Sequence, residues 1–275
     1  MKLLILGGKG MAGHMITEYF RKKNEFEVFY TSRDKKDQNG IFLDVTNGTK
    51  VEELIESIKP DITINCTGIL NEDATNNPTL AFLVNSILPH QLATLTERHQ
   101  RKLIQISTDC VFSGKKGDYT ENDIPDGSSI YAQSKQQGEI ISDQHLTIRT
   151  SIIGPELKES GIGLFLWFMK QKGEIKGYKK ALWNGVTTLE LAKVIEMMIK
   201  DNVTGLYHLG LETKISKYSL LKLIQDVFNK NDVEITPDTS VVIDRTIRNT
   251  RTDFQYTLPS YKEMILELKD WMRDQ

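Results

Sequence analysis

The run Lys2-Leu3-Leu4-Ile5-Leu6, followed at once by Gly7-Gly8-Lys9-Gly10-Met11-Ala12-Gly13, restricts what this chain can fold into more than any other feature. An apolar segment that ends in a G-x-x-G-x-x-G turn and passes directly into an amphipathic stretch, Met11 to Lys23, is a strand–turn–helix unit. Glycines let the backbone turn tightly and approach a pyrophosphate. The free N–H groups and positive end of the following helix then stabilise the phosphate charge. The spacing alone is weak; its position after an N-terminal strand makes Gly7, Gly10 and Gly13 candidate cofactor-binding residues.

The alternation that follows extends this unit into a sheet. Short β-branched runs read as strands at Lys2 to Leu6, Glu27 to Thr31, Gly40 to Leu43, Asp61 to Cys66, Leu103 to Ser107 and Leu146 to Arg149. Between them lie helical stretches at Met11 to Lys23, Val51 to Lys59, Leu80 to Arg98 and Tyr131 to Ser142. The pattern predicts an α/β fold, a Rossmann-type doubly wound parallel sheet forming a dinucleotide-binding domain over residues 1–150. Beyond Arg149, glycines at positions 154, 161, 163, 173 and 177 predict irregular pieces with short helices, and a smaller, interleaved substrate-binding lobe over residues 151–275. In that lobe Leu189 to Lys200, Ser216 to Phe228 and Tyr261 to Asp270 read as helices and Leu206 to Leu209 as a strand.

Composition narrows the class. A net charge of -2 over 275 residues gives no basic field for a polyanion, so nucleic acid is not an expected partner. No apolar run approaches the roughly 18 to 20 residues that cross a bilayer. Leu3 to Leu6 is too short for a signal peptide and is followed by glycines, so a cytoplasmic protein is expected and not a membrane one. Cys66 and Cys110, with no CxxC and no histidine pair at ligand spacing, indicate neither a disulfide framework nor a metal site. A homodimer is left open.

Cofactor choice is read at the end of the second strand. A carboxylate there accepts hydrogen bonds from a ribose 2′-hydroxyl, whereas an arginine pairs with a 2′-phosphate. The residues are Thr31-Ser32-Arg33, which favours NADPH; Asp34 keeps NADH open. For the chemistry, Tyr-x-x-x-Lys places a phenol and an ammonium one helical turn apart, so that the cation stabilises the phenolate left after proton donation. The chain holds this spacing three times, at Tyr19/Lys23, Tyr131/Lys135 and Tyr218/Lys222, and spacing cannot choose among them. Position can. Tyr131/Lys135 follows the fifth strand, near the carboxyl edge where ligands collect, and Ser107-Thr108 at the end of that strand offers a hydroxyl to hold a carbonyl oxygen.

These residues, with Asp109-Cys110-Val111-Phe112-Ser113-Gly114, Tyr119-Thr120-Glu121-Asn122-Asp123, Gly138-Glu139 and Arg149-Thr150-Ser151, resemble the dTDP-4-dehydrorhamnose reductase family of extended short-chain dehydrogenases over nearly the whole chain. The resemblance implies a catalytic set of Thr108, Tyr131 and Lys135, with Tyr131 and Lys135 also touching the cofactor. It implies phosphate contacts from Gly10, Met11 and Ala12, adenine contacts from Asp44 and Val45, and further cofactor contacts from Cys66, Thr67 and Gly68. The expected reaction is reduction of the 4-keto group of a nucleotide-activated 6-deoxyhexose. Reductases that make dTDP-L-rhamnose usually carry tyrosine where this chain has Cys110 and tryptophan where it has Ile152. Loss of that aromatic widens the expected pocket and points to a UDP-linked 2-acetamido-2,6-dideoxy-hexos-4-ulose, with the dTDP sugar as the alternative.

Other residues have two readings each. Trp183, before a helix, holds a nucleotide base or diphosphate if exposed and packs in the core if not. Arg245, Arg248 and Arg251 resemble the family's arginine segment near the substrate diphosphate, with Arg248 and Asp109 taken as substrate residues, or form a solvated cluster. A 4,6-dehydratase or epimerase is the competing enzyme class, disfavoured because Thr108-Asp109 is followed by Cys110 and not glutamate. A non-catalytic NADP-binding sensor or subunit is the competing class outside enzymes.

Overall fold

Segments buried on both faces of a parallel sheet need no polar side, and the apolar runs of this chain become its strands. In the computed structural model, which describes residues 1–274, the chain begins with β1 (Lys2–Leu6), α1 (Met11–Arg21), β2 (Glu27–Ser32), β3 (Ile41–Phe42), α2 (Gly48–Ile58) and β4 (Ile62–Asn65). It continues with α3 (Asn71–Asn76), α4 (Pro78–Phe82), a π-helical turn (Leu83–Ile87), α5 (Leu88–Glu97), β5 (Lys102–Ile106), a 3₁₀ turn (Asp109–Val111), α6 (Ile130–Gln137), β6 (Leu146–Thr150) and β7 (Ile152–Ile153). The remainder is α7 (Leu164–Lys170), β8 (Gly173–Trp183), β9 (Val186–Thr187), α8 (Thr188–Lys200), β10 (Gly205–Leu209), β11 (Ile215–Ser216), α9 (Lys217–Phe228), β12 (Val233–Asp244) and α10 (Tyr261–Arg273). No helix among the described residues is long and apolar enough to cross a membrane.

A parallel sheet of seven strands runs β10-β6-β5-β4-β1-β2-β3. The chain moves outward from β1 through β2 and β3 and then returns to β4 on the other side, so the strand order reverses between β1 and β4 and leaves a crevice at their carboxyl ends. Alternate residues of β1 feed two cores. Leu3 and Ile5 pack with Met15, Ile16 and Phe20 of α1 and with Ile195 and Met198 of α8. Leu4 and Leu6 pack with Val51 and Ile55 of α2 and with Leu88 and Leu92 of α5. This is the Rossmann-type architecture that the alternation predicts.

Two parts of the second half differ from the sequence reading. Residues 151–274 alternate between the two layers: β8 starts a second layer, α8 and β10 return to the large sheet, and β11 and β12 complete the second layer. That layer is a three-stranded sheet, β11-β8-β12, not a set of irregular pieces. Its strands β8 and β12 are the longest of the chain, at 11 and 12 residues. Gly173 and Gly177 and the charged, mostly exposed run Gly173-Glu-Ile-Lys-Gly-Tyr-Lys-Lys180 hide the first. Pro237 hides the second, yet β12 is an edge strand whose register shifts between Asp238 and Val242, where proline is tolerated.

Charged groups tie the halves together inside the sheet. Glu139, just past α6, receives Arg149 Nε and a second guanidinium nitrogen of Arg149, both at 2.7 Å, and Ser107 Oγ at 2.6 Å. Both partners of this ion pair are almost fully enclosed, at 3% and 4% exposure, and every charged oxygen is satisfied. His208 of β10 completes the chain: its Nδ1 faces Tyr119 O at 3.0 Å, so it is the donor, and its Nε2 accepts from Arg149 at 3.1 Å. The imidazole is therefore neutral, and burial, then the Arg149 charge, hold its pKa below the ordinary histidine value. His14 and His145 are lowered too, mainly by burial. A histidine depressed in the folded state takes up its proton first on unfolding, so stability is complete above about pH 6.5 and is lost as pH falls below it. The thermal midpoint is expected to fall between pH 7 and 5.5, and to fall less in His208→Asn, which starts lower; an equal pH slope in the variant would place the titration elsewhere.

Candidate active site

The glycine turn is shaped as a cradle. Gly7 adopts φ +77°, a conformation that favours glycine. Its N–H donates to Thr31 Oγ1 at 3.1 Å, and Gly10 N–H donates back to Gly7 O at 2.9 Å. A Cβ on Gly13 would stand 2.2 Å from Gly7 O, so α1 begins as close to the turn as backbone permits. Gly10 caps α1 with no side chain, and the first helical turn, from Met11 and Ala12 onward, carries no acidic residue. Its amide groups and positive end are left for an anion, which fits a pyrophosphate.

Beside it, Leu43 N–H donates to Ser32 O at 3.0 Å and brings the ends of β2 and β3 together. Arg33 is exposed there. The Asp44 carboxyl lies below its usual range, first through hydrogen bonds from Thr46 and also through the charge of Arg33, while the next residue, Val45, packs partly buried against the core of Leu4 and Leu6. Asp34 turns its carboxylate to Lys36 N–H at 2.9 Å. Lys9, a cation of the glycine turn that the sequence did not single out, pairs with Asp37 at 3.5 Å.

After β4, Thr67 binds Asn65 Oδ1 through its N–H at 3.1 Å and its hydroxyl at 2.6 Å, setting Cys66-Thr67-Gly68 against the turn. The Cys66 thiol is pushed up to about 12 by burial and feels the charge of Lys135, which puts this loop next to α6. Ser129 caps α6 by accepting from Ala132 N–H at 3.1 Å, and Tyr131 stands in its first turn. Burial raises the Tyr131 pKa, with the Thr108 hydroxyl acting in the opposite sense, so the phenol keeps its proton at neutral pH. One turn on, Lys135 donates to Ile106 O at 2.7 Å; burial lowers it to about 8, against the pull of Glu139. Thr108 Oγ1 accepts from Cys110 N–H at 3.1 Å and donates to Asp109 Oδ1 at 3.2 Å. The other Tyr/Lys pairs stand apart. Tyr19 and Lys23 both engage Glu196 of α8, and Tyr218/Lys222 belongs to α9.

The residue that sequence reasoning missed is Asn85, in the π-helical turn. Its Oδ1 accepts from Ile69 N–H at 2.8 Å and its Nδ2 donates to Ile69 O and Ser134 Oγ, both at 2.9 Å. It thereby locks α6 to the loop after β4. A π turn inside a helix commonly marks a site, and the polar pair Asn85-Ser86 inside an apolar run was the available signal.

On the substrate side the structure redistributes the expected residues. Trp183 is 3% exposed, its Nε1 donating to Ser151 Oγ at 2.9 Å. It is a core residue and not an exposed platform for a base, because β8 carries it beneath the turn into β9. Ile152 pairs with Val186 and is partly buried. Arg248 is exposed, with its backbone N–H on Tyr119 O at 2.7 Å. Arg245 is the arginine of that segment held against the Thr108 turn, through Phe112 O at 3.0 Å and Cys110 Sγ at 3.9 Å. Arg251 pairs with Asp253. The Cys110 thiol is raised to about 12, mainly by burial, so it is a packed group and not a nucleophile.

A model of the RmlD substrate binding domain matches residues 1–266. A dTDP-4-dehydrorhamnose reductase of Aggregatibacter actinomycetemcomitans is 27% identical over 237 residues, 82% of this chain and 78% of that protein. The methionine adenosyltransferase 2 subunit beta of Xenopus tropicalis is 23% identical over 261 residues, covering 90% and 78%. A solved dTDP-4-dehydrorhamnose reductase of Clostridium acetobutylicum shares the fold with a TM-score of 0.83 at 26% identity, over 99% of this chain and 100% of that one. With its glycine cradle and its Tyr131/Lys135 pair inside a match that spans nearly every residue, this chain belongs to the RmlD substrate binding domain family.

Proposed function

We propose that this protein is an NADPH-dependent reductase of the 4-keto group of a nucleotide-activated 6-deoxyhexose, working in the cytoplasm. The observation that carries the reading is the gathering of Thr108, Tyr131 and Lys135 at the carboxyl end of β5, next to the glycine cradle. NADPH held there would supply a hydride to the carbonyl carbon. Thr108 and Tyr131 hold the carbonyl oxygen with their hydroxyls, and Tyr131 gives its proton to the alkoxide. Lys135 stabilises the phenolate that remains. Gly7, Gly10, Met11, Ala12 and Gly13 bind the diphosphate, Ser32 and Arg33 the 2′-phosphate, Asp44 and Val45 the adenine, and Cys66, Thr67 and Gly68 line the path between.

For the sugar we propose a UDP-linked 2-acetamido-2,6-dideoxy-hexos-4-ulose, reduced to a surface-polysaccharide precursor. Its support is Ile152, which replaces a bulky aromatic with a smaller side chain. The named reductase relatives favour the dTDP-linked 6-deoxyhexose as the alternative. A second reading, an NADP-binding subunit without turnover, is favoured by the relatives named as beta subunits of methionine adenosyltransferase 2.

Turnover decides between enzyme and subunit. Tyr131→Phe is expected to retain NADPH affinity and to lose activity on 4-keto sugar nucleotides by on the order of a hundredfold or more, the usual scale of general-acid catalysis. Tyr218→Phe is the matched control and keeps full activity. A Tyr131→Phe variant with more than half the wild-type rate would remove the phenol from its role. Arg33→Ala is expected to raise the KM for NADPH and leave that for NADH nearly unchanged, since only the former has a 2′-phosphate to lose; equal effects on both would refute the pairing. For the sugar, kcat/KM on the UDP-linked acetamido compound should exceed that on dTDP-4-keto-6-deoxyhexose by about tenfold to a few hundredfold. A tenfold preference for the dTDP compound would restore it as the substrate.

A further inference from the structure

The two most deeply buried lysines among the described residues stand at opposite ends of one strand. Lys135 donates to Ile106 O at the carboxyl end of β5, and Lys102 opens that strand four residues earlier. Four steps of strand are about 13 Å, so Lys102 lies on the other edge of the sheet, away from the candidate active site. It is 8% exposed, and among the described residues no carboxylate stands within ion-pair distance of its ammonium. Its hydrogen-bond partner is neutral, Asn202 Oδ1 at 3.1 Å, in the turn between α8 and β10. Burial lowers its pKa to about 8. An ammonium has three protons to donate, and one kept from water with a single neutral partner is costly.

Lys102 and Asn202 line the same cleft of about 590 Å³, at the amino ends of β4, β5 and β10. That volume suits a small ligand. The other charged groups around it are the Met1 amine, Arg101, Asp61 and Asp143. Met1 turns its amino group to Glu25 O at 2.9 Å. Arg101 and Asp61 pair at 2.5 Å, and Asp61 also accepts from Lys2 N–H at 2.7 Å. Two groups then lack an ionic partner among the described residues: the buried Lys102 and the exposed Asp143. The first calls for an anion. The second would repel a bare anion but accepts from a hydroxyl, so a ligand that suits both carries an anionic group and hydroxyls. Planar two-point recognition of a carboxylate is a task for arginine, and Arg101 is engaged; lysine binds phosphate as a compact point charge.

We propose that this cleft is a binding site for a sugar phosphate, its phosphate held by Lys102 and Asn202 and a hydroxyl by Asp143. Asn202 Oδ1 is taken by Lys102, while its Nδ2 has no partner among the described residues and serves as the second donor to the phosphate. The site stands on the edge of the sheet opposite the cofactor crevice, and it does not rest on the reductase reading.

The test is calorimetric titration of the full chain with glucose 6-phosphate, inorganic phosphate and glucose, with excess NADPH present to fill the glycine cradle. Glucose 6-phosphate is expected to bind more tightly than inorganic phosphate, and glucose to give no measurable heat. Lys102→Met should weaken glucose 6-phosphate by about tenfold or more, the scale of a hydrogen bond to a charged group. Lys102→Arg keeps the charge and should retain part of the affinity. Asn202→Asp, a change at an exposed position that the fold tolerates, sets a carboxylate against the lysine and should weaken binding as much. Asp143→Asn relieves repulsion for both anions alike, so the preference for the sugar ester over inorganic phosphate should fall. Wild type that binds neither anion, or glucose 6-phosphate affinity unchanged in both Lys102→Met and Asn202→Asp, would overturn the site. An unchanged preference in Asp143→Asn would overturn its assignment to a sugar.

Discussion

The carboxylate of Glu139 is the point on which the rest of the site depends. It stands at the end of α6, binds the Ser107 hydroxyl one residue before Thr108, and neutralises a guanidinium from β6 that is buried in the sheet. The same charge raises the proton affinity of Lys135 against the desolvation that lowers it. Position and electrostatics are thus supplied by one group: the helix that carries Tyr131 and Lys135 cannot slide along β5 without opening an ion pair that has no water to replace it. Removing one partner of such a pair typically costs about 3 to 5 kcal/mol, because the other is left charged and enclosed. Phe112 closes the chamber, with Arg149 5.1 Å above its ring and Tyr119 stacked on it at 4.1 Å.

Within that chamber the two central groups are moved in opposite directions by the same cause. Burial favours the neutral form of each, which raises the phenol and lowers the ammonium. For Tyr131 this preserves the proton to be donated. For Lys135 it brings the titration toward the working pH, so the negative charge of a bound dinucleotide, acting at the glycine cradle beside it, would favour the protonated form.

What was legible in the sequence is what depends on short-range backbone requirements. A turn of glycines after an apolar run has few alternatives: Gly7 holds a left-handed φ of +77°, and Gly13 lies against backbone that excludes a side chain. Tyr131/Lys135 was separable from its two duplicates because the strand before it fixes its edge of the sheet. The rest is set by distant partners. Trp183 is an aromatic before a helix whether it is buried or not, and only Ser151 and Tyr261 decide that it is. Arg245 and Arg248 are alike in sequence; Asn184, which binds both the N–H and the carbonyl of Ile247 between them, fixes which one faces Phe112. The strands β8 and β12 are polar and interrupted because they form a thin, mostly exposed layer that never needed an apolar run.

The strand β10 closes the large sheet by pairing with β6 along its full length, from Gly205 opposite Leu146 to Leu209 opposite Thr150. During synthesis the first six strands therefore leave the ribosome long before their neighbour exists. Until residue 209 emerges, β6 presents an unpaired edge, and Arg149 lacks the imidazole that receives its last hydrogen bond. A nascent chain at that stage has a finished cofactor turn on an unfinished sheet, and it is exposed to edge-to-edge association for as long as translation of the intervening segment takes. The late strand thus makes translation speed, and not local helix formation, the clock for completing this domain.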